Sequence, residues 1–421
     1  MKFNNLLINK IIWLFITLFP VLPHTLGAPN AQKVLHIFAF LFVVATLIVK
    51  PVRFDKRVIK YTVIIVGSLI LYYAGLSLIF TEKLTFKDLP DYLRPIIYLL
   101  YIMIPFLYPL ESDDWSDFFS FFKKLFIFQI LISALVYLPA LWPLVDLFKG
   151  RPSDDMALHF YRWSGTYGYP SDFSFYLSIF IFYYFCFFAN RMRISMKEWV
   201  IIAAAFIAMF LSFSRGGLFS TFGILGLAFW LTGARKRKSA YVLIASVFII
   251  LTAVVITFSE EFVQVSYILD TFGGEDGNVD DSTSHRLKEM QLAYDYMAAN
   301  PPFSSGSNRD ELATQIEVIE SFYGFHLIKW GIVGLLAILL VKLAALYICV
   351  YVYKESKKAQ KPLFPMAFSV ACLIASEVLL FGLSSAISDR FKTLPTFYLL
   401  LGYVLYEYTI MHKKHTVESS K

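Results

Sequence analysis

Charge and cysteine are both scarce in this sequence. Asp, Glu, Lys and Arg together make up only 16% of its 421 residues, against 58% hydrophobic ones and a mean hydropathy of +0.62. A soluble domain carries about 25% charge and about 45–50% apolar residues, so a water-soluble enzyme and a disordered chain are both excluded. The three cysteines, Cys186, Cys349 and Cys372, all fall inside apolar blocks. That leaves no even set at loop spacing for a disulfide framework or a thiolate metal site. A Walker loop is missing, so nothing points to ATP hydrolysis. Internal repeats, low-complexity tracts and metal-ligand clusters are missing too. His412 and His415 stand in a terminal tail with no further ligand beside them. No small-residue cleavage site follows the first apolar block, near Leu6, which therefore reads as a retained span.

What the chain has in abundance is apolar runs of about 16–25 residues separated by short charged strips, the pattern of transmembrane helices. The expected fold is all-α, a polytopic integral membrane protein with about twelve spans bounded by charge or by Pro and Gly. They fall near 6–23, 31–49, 61–80, 93–110, 123–144, 171–189, 198–213, 216–232, 240–258, 323–353, 364–385 and 394–411. The fifth starts just past Lys123 and Lys124. The tenth is longer than a span needs, so it tilts or projects from the bilayer. The organisation is then 1–258 with helices one to nine, a large outer loop over 259–322, and 323–421 with helices ten to twelve.

The formal charge of +7 and pI of 9.0 could suggest nucleic acid. Its distribution argues otherwise. Strips holding Lys50, Arg53, Lys56, Arg57 and Lys60, then Arg191, Arg193 and Lys197, then 235–238, then Lys354, Lys357, Lys358 and Lys361 all fall on one side, as does Lys413-Lys414. Most acidic residues face the other way. The positive-inside rule puts both termini in the cytoplasm, and no nucleic-acid partner is expected. Two outward segments, 146–170 and 259–322, exceed the length of structureless loops. The second carries an acidic stretch from Glu275 to Asp281 ahead of its helical part. It continues with a capping cluster, Ser282-Thr283-Ser284, ahead of Leu287, Met290, Tyr294 and Met297 at helical spacing, which Pro301-Pro302 end. A second short helix is expected over 309–319.

Three outward arginines stand out. Arg215 occupies a short turn, Leu211-Ser212-Phe213-Ser214-Arg215-Gly216-Gly217-Leu218, between two apolar helices. Ser214 can cap the following helix, while Gly216 and Gly217 can expose backbone N–H groups where the helix dipole is positive. A phosphate or pyrophosphate is the natural guest; the plainer alternative is a snorkelling Arg on a tight hairpin. Arg286 starts the loop helix, where its charge opposes the macrodipole, so something else must hold it; a solvated loop charge is the alternative. Arg162 lies in a Gly- and aromatic-rich turn, Tyr161-Arg162-Trp163-Ser164-Gly165-Thr166-Tyr167-Gly168-Tyr169-Pro170. Glu320 closes the large loop, where apolar surroundings can raise a carboxylate toward the range of a general base. His326, six residues on, is an alternative base. Glu377 lies within a span and must face the bundle interior, pairing with a buried Lys such as Lys342 or lining a path.

Taken in order, three of these blocks resemble the O-antigen polymerase/ligase superfamily of integral membrane glycan polymerases and ligases. Arg162-Trp163-Ser164-Gly165-Thr166 running to Tyr169-Pro170 is similar to the family's Arg-x-Ser-Gly-Thr entry to a helix, and 211–217 is similar to its Ser-x-Ser-Arg-Gly motif. The third block runs from Ser284-His285-Arg286-Leu287 through Asn300-Pro301 to Gly306, then to Trp330-Gly331-Ile332-Val333-Gly334-Leu335. The resemblance covers roughly 155–350. In the ligase branch a His commonly sits about eleven residues before the Gly matching Gly331; here Glu320 stands there, which favours the polymerase branch.

The resemblance implies a GT-C-like lipid-linked glycosyltransferase in the bacterial inner membrane. It implies that Arg215, Arg286 and Arg162 hold the pyrophosphate of an undecaprenyl-diphosphate-linked glycan with Ser214, Gly216 and Gly217. Glu320 would orient or deprotonate the acceptor, with His326 in reserve. No metal or other cofactor is implied, and a flippase and a chain-length regulator are the implied protein partners. Two rivals remain: a ligase onto a lipid A core, and a transporter or flippase. A transporter predicts repeat symmetry and short outer loops, neither of which this sequence has.

Overall fold

The computed structural model describes residues 4–20, 31–49, 56–80, 88–149, 161–232, 281–299, 301–304, 314–315, 319–383, 385, 390 and 392–418. Among these residues all regular structure is helical. The α-helices are α1 (Asn5–Leu18), α2 (Ala31–Val49), α3 (Lys56–Phe80), α4 (Leu89–Tyr92), α5 (Arg94–Leu107), α6 (Asp114–Ala134) and α7 (Trp142–Asp146). They continue with α8 (Pro170–Ala189), α9 (Met196–Leu211), α10 (Arg215–Leu231), α11 (Asp281–Ala299), α12 (Phe322–Lys358), α13 (Phe364–Leu379) and α14 (Thr393–Glu418). Eleven of the twelve expected spans fall on these helices. The ninth, 240–258, lies outside the described residues, as do the acidic stretch up to Asp280 and most of 309–319. Among the described residues four helical stretches are long and apolar enough to cross a membrane, Thr62–Ile79, Asp114–Tyr137, Pro170–Ala189 and Phe322–Lys358. The chain has the architecture of a helical membrane protein.

The core forms around α8. Its apolar residues run round every face, and a helix of that kind must be buried on all sides; 14 of its 20 residues are. It packs against α9, α10 and α13. Its Phe180 meets Phe126 of α6 with ring centroids 4.0 Å apart and Phe122 at 4.8 Å. At the periphery α3 exposes Leu71, Leu78 and Ile79, as a lipid-facing helix would. Cys186, Cys349 and Cys372 are free and buried.

Three expectations need correction. The fifth span is α6, which begins at Asp114 rather than past Lys123, because Asp114 and Asp117 complement the positive end of its first turn. It ends before Pro139, since the residue preceding a proline is pushed out of helical geometry; Leu138 has φ −113° and ψ 95°. Lys123 then lies inside the helix, 3.6 Å from Glu198. The overlong tenth span is broken rather than simply tilted: Gly331 has φ 66° and ψ −172° inside α12. And α11 starts at Asp281, which places Arg286 in the second turn, beyond the strongest reach of the dipole expected to oppose it.

Two sets of charges inside the bundle are paired. Lys342 donates to Glu377 across 2.7 Å, both 3% exposed, as the membrane cost of an isolated charge demands. Asp91, fully buried, accepts from Arg94 at 3.0 Å and from Lys329. The Arg94 guanidinium lies 4.2 Å from the Phe325 ring centre. This cluster fixes the first half of α12, which carries Lys329, to α4 and α5.

Candidate functional site

The turn between α9 and α10 comes first. Phe213 takes φ 52°, so the chain reverses tightly and leaves the last carbonyls of α9 without helical partners. Arg162 supplies them: its Nε donates to the Ser212 carbonyl at 3.1 Å and its terminal nitrogen to the Phe213 carbonyl at 2.7 Å. The Trp163 amide donates to the Leu211 carbonyl at 3.1 Å. A guanidinium on a helix C-terminus also complements the dipole there. The first two sequence blocks are thus joined directly. Ser214 caps α10, its Oγ accepting from the Gly217 amide at 3.2 Å. This corrects part of the expected anion turn, because the Gly217 N–H is spent within the cap. Gly217 instead permits close packing, for a Cβ there would lie 2.5 Å from Cβ of Ser174 on α8. Arg215 and Gly216 follow in the first turn, both half-buried.

Two lysines that sequence reasoning missed hold the Arg162 turn. Lys149 donates to the Arg162 carbonyl at 2.5 Å. Burial first, then the charge of Arg162, push its pKa down to about 7, with Asp146 opposing. Lys392 donates to the Thr17 carbonyl at 3.0 Å and to that of Thr166. Its pKa is driven well below the ordinary lysine value by burial, against the pull of Asp172. Gln129 completes the support, accepting from the Thr166 amide at 2.8 Å.

The second half of the site is the junction of α11 with α12. Ser321 caps α12, its Oγ accepting from the Gly324 amide at 2.9 Å. Above it Glu289 of α11, fully buried, gathers three donors: the Glu320 amide at 2.5 Å, the Ser321 amide at 3.1 Å and the Ser321 hydroxyl at 2.7 Å. His285 Nε2 stands 3.5 Å from the same carboxylate. Arg286 lies one turn before Glu289 on the face of α11 that carries Ala293 against Ile328. Its Nε is buried without a hydrogen-bond partner. Arg286 and the half-buried Glu320 are therefore brought to one junction. His326 is not at its surface: it is 1% exposed, with ring centres of Phe322 at 4.6 Å and Phe325 at 5.2 Å.

The third sequence block explains itself at Gly331. The Pro302 carbonyl accepts from the Ile332 amide at 3.1 Å, and a Cβ on Gly331 would lie 2.7 Å from that carbonyl. The Pro301-Pro302 segment therefore docks into the break of α12 and only glycine admits it.

The two halves meet indirectly. Leu380, just past α13, fills the space at Gly223 of α10, where a Cβ would lie 2.5 Å from its Cδ1. Gly382 lies against Phe322 and Tyr323 of α12. On the other side Asp172, in the first turn of α8, feels the charges of both Arg390 and Glu320. Glu289, Asp172, Arg390, Lys149 and Lys392 were not singled out in the sequence. Glu289 alone had a readable signal, three residues beyond Arg286 on the buried face of a loop helix.

No curated protein matches the chain. Residues 200–339, which hold Arg215, Arg286, Glu289, Glu320 and Gly331, match the family model described as O-antigen ligase, consistent with the O-antigen polymerase/ligase superfamily.

Proposed function

We propose that this protein polymerises undecaprenyl-diphosphate-linked oligosaccharide repeat units at the outer face of the bacterial cytoplasmic membrane. The observation that carries the reading is that three sequence blocks far apart in the chain are tied at two helix junctions, one presenting Arg215 and the other Arg286 with Glu320. In this reaction an acceptor hydroxyl oxygen attacks the anomeric carbon of the donor glycan. The bond from that carbon to the phosphate oxygen breaks, and the polyprenyl diphosphate leaves with the electron pair. The hydroxyl proton passes to Glu320. Arg215 and Arg286 stabilise the charge growing on the leaving oxygen, which fixed donors in a poorly hydrated site do without reorganisation. Arg162 acts from behind, holding the turn in place. The bond energy is already stored in the donor, so no nucleotide is consumed. Both termini lie in the cytoplasm, and a flippase and a chain-length regulator are the expected partners.

The alternative is ligation of finished glycan to a lipid A core, favoured by the description of the matching family model. Against it, an acidic residue, Glu320, stands eleven residues before Gly331. Deleting the gene and running the surface polysaccharide on a gel separates the two. Loss of a polymerase leaves core plus a single repeat; loss of a ligase leaves long chains on the lipid carrier. Complementation with Arg215→Ala or Arg286→Ala is expected to restore inserted protein but no ladder. Wild-type ladders from both variants would refute the assignment.

A further inference from the structure

Asp172 has no part in the chemistry above, yet it is among the least expected groups in the molecule. It is a fully buried carboxylate at the outset of α8, two residues past Pro170. An acid in a first turn complements the helix dipole, but an exposed one would do that as well. Its Oδ1 accepts from the Ser171 hydroxyl at 3.3 Å and lies 3.4 Å from Arg390. Its Oδ2 is buried with no hydrogen-bond partner. Leaving a carboxylate oxygen dry and unpaired costs more than a neutral group would, and buried polar atoms without partners are rare enough to need a reason.

The surroundings indicate what completes it. Arg390 donates to Ser171 Oγ at 2.8 Å and its guanidinium carbon lies 5.7 Å from the Tyr169 ring centre. Tyr169 itself is 39% exposed. The charge of Glu320 reaches Asp172. A carboxylate oxygen can only accept, and so can the oxygens of a diphosphate, so the diphosphate does not belong on Asp172. A carboxylate wanting a donor, a guanidinium partly neutralised by it, and a partly exposed tyrosine ring under that guanidinium suit a sugar, whose hydroxyls donate and whose ring carbons stack on an aromatic ring.

We propose that Tyr169, Asp172 and Arg390 form a subsite for the sugar of the acceptor, with Asp172 Oδ2 accepting a hydrogen bond from one of its hydroxyls and Tyr169 lying against its face. This rests on the transfer reaction proposed above and gives it an acceptor side. The charge of Glu320 is felt at the same carboxylate, so the subsite would hold the acceptor on the side of the site that carries the group taking its proton.

The test uses the purified full-length protein in lipid nanodiscs with a polyprenyl-diphosphate-linked repeat unit as donor. A repeat unit on a shorter, distinguishable lipid is titrated as acceptor, and released polyprenyl diphosphate is the readout. Asp172→Asn and Tyr169→Ala are each expected to raise the acceptor KM at least tenfold and to leave the donor KM within twofold. Tyr169 is at the surface, so its variant decides the matter should Asp172→Asn fail to fold. An active wild type with unchanged acceptor KM in the folded variants would overturn the subsite alone. A wild type that releases no diphosphate at any acceptor concentration would overturn the transfer reaction, and the subsite with it.

Discussion

The two junctions of the site solve the same problem with opposite charges. Where α9 ends, unpaired carbonyls are collected by a cation, Arg162, itself anchored through Lys149. Where α12 begins, unpaired amides are collected by an anion, Glu289. Each is the charge that the helix end calls for. They differ in what surrounds them. The first is embedded in the main core, with Trp163, Tyr167 and Phe173 packed among α6 and α8. The second leans on a small satellite in which Ala293 of the loop helix meets Ile328. A clamp with a large core behind it has many redundant contacts, whereas one carboxylate on a lightly packed helix has few. The Glu289 junction should therefore be the easier to break.

Glu289→Ala is accordingly expected to give the largest effect on the coupling of loop and bundle. It strands two amides and a hydroxyl, at roughly 1–3 kcal/mol for each buried group left unpaired. Transfer should fall at least a hundredfold, and protease cleavage between α11 and α12 should rise while the bundle stays folded. Glu289→Gln keeps an accepting oxygen and should fall between the alanine variant and wild type. Equal protease resistance in Glu289→Ala and wild type would show that the carboxylate does not hold the junction.

This contrast also marks what the sequence made legible. Apolar length and charge strips gave the helices, since desolvating a long apolar run has one solution in a bilayer. Arg215, Arg286 and Glu320 were readable because charge at the end of an apolar run is costly and so informative. Arg162 was readable as an arginine in a special turn, although its guanidinium serves two carbonyls 50 and 51 residues away, a pairing that no local pattern encodes. Asp172 stands where any first-turn acid would, and nothing in the sequence marks it as buried. Lys149 and Lys392 belong to loops, and only tertiary burial distinguishes them from solvated lysines. The break at Gly331 was hidden because apolar residues continue on both sides; its cause, the Pro302 carbonyl, arrives from outside the helix.

That break supplies the next comparison. Gly331→Ala places a Cβ 2.7 Å from the Pro302 carbonyl oxygen and 2.8 Å from two further backbone atoms, at a φ of 66°. Left-handed strain of about 1–3 kcal/mol is unavoidable, and the 301–304 segment must also move. Thermal denaturation in detergent should show a clear drop, and the transfer rate should fall about tenfold because Glu320 leads into the displaced half of α12 and the 301–304 segment docks on it. An alanine variant with wild-type melting and rate would mean that the docked proline segment is dispensable.

The smallest expected effect belongs to the stronger junction and is visible only as a pH slope. Lys149 titrates near 7 in the folded protein, chiefly through burial, against about 10.4 in an unfolded chain. Below pH 7 both states carry the proton, and the cost of the buried charge is fully felt. Between pH 7 and 10 the unfolded state binds the extra proton, so stability must rise with pH. Melting temperature should therefore climb from pH 7 to pH 9 in the wild type, and this part of the slope should vanish in Lys149→Met. The substitution should cost little at pH 7, because the loss of the bond to the Arg162 carbonyl is offset by removing a poorly solvated ammonium group. An identical slope in the two proteins would mean that Lys149 stays charged. The Arg162 turn would then be held by an ammonium group through the whole range.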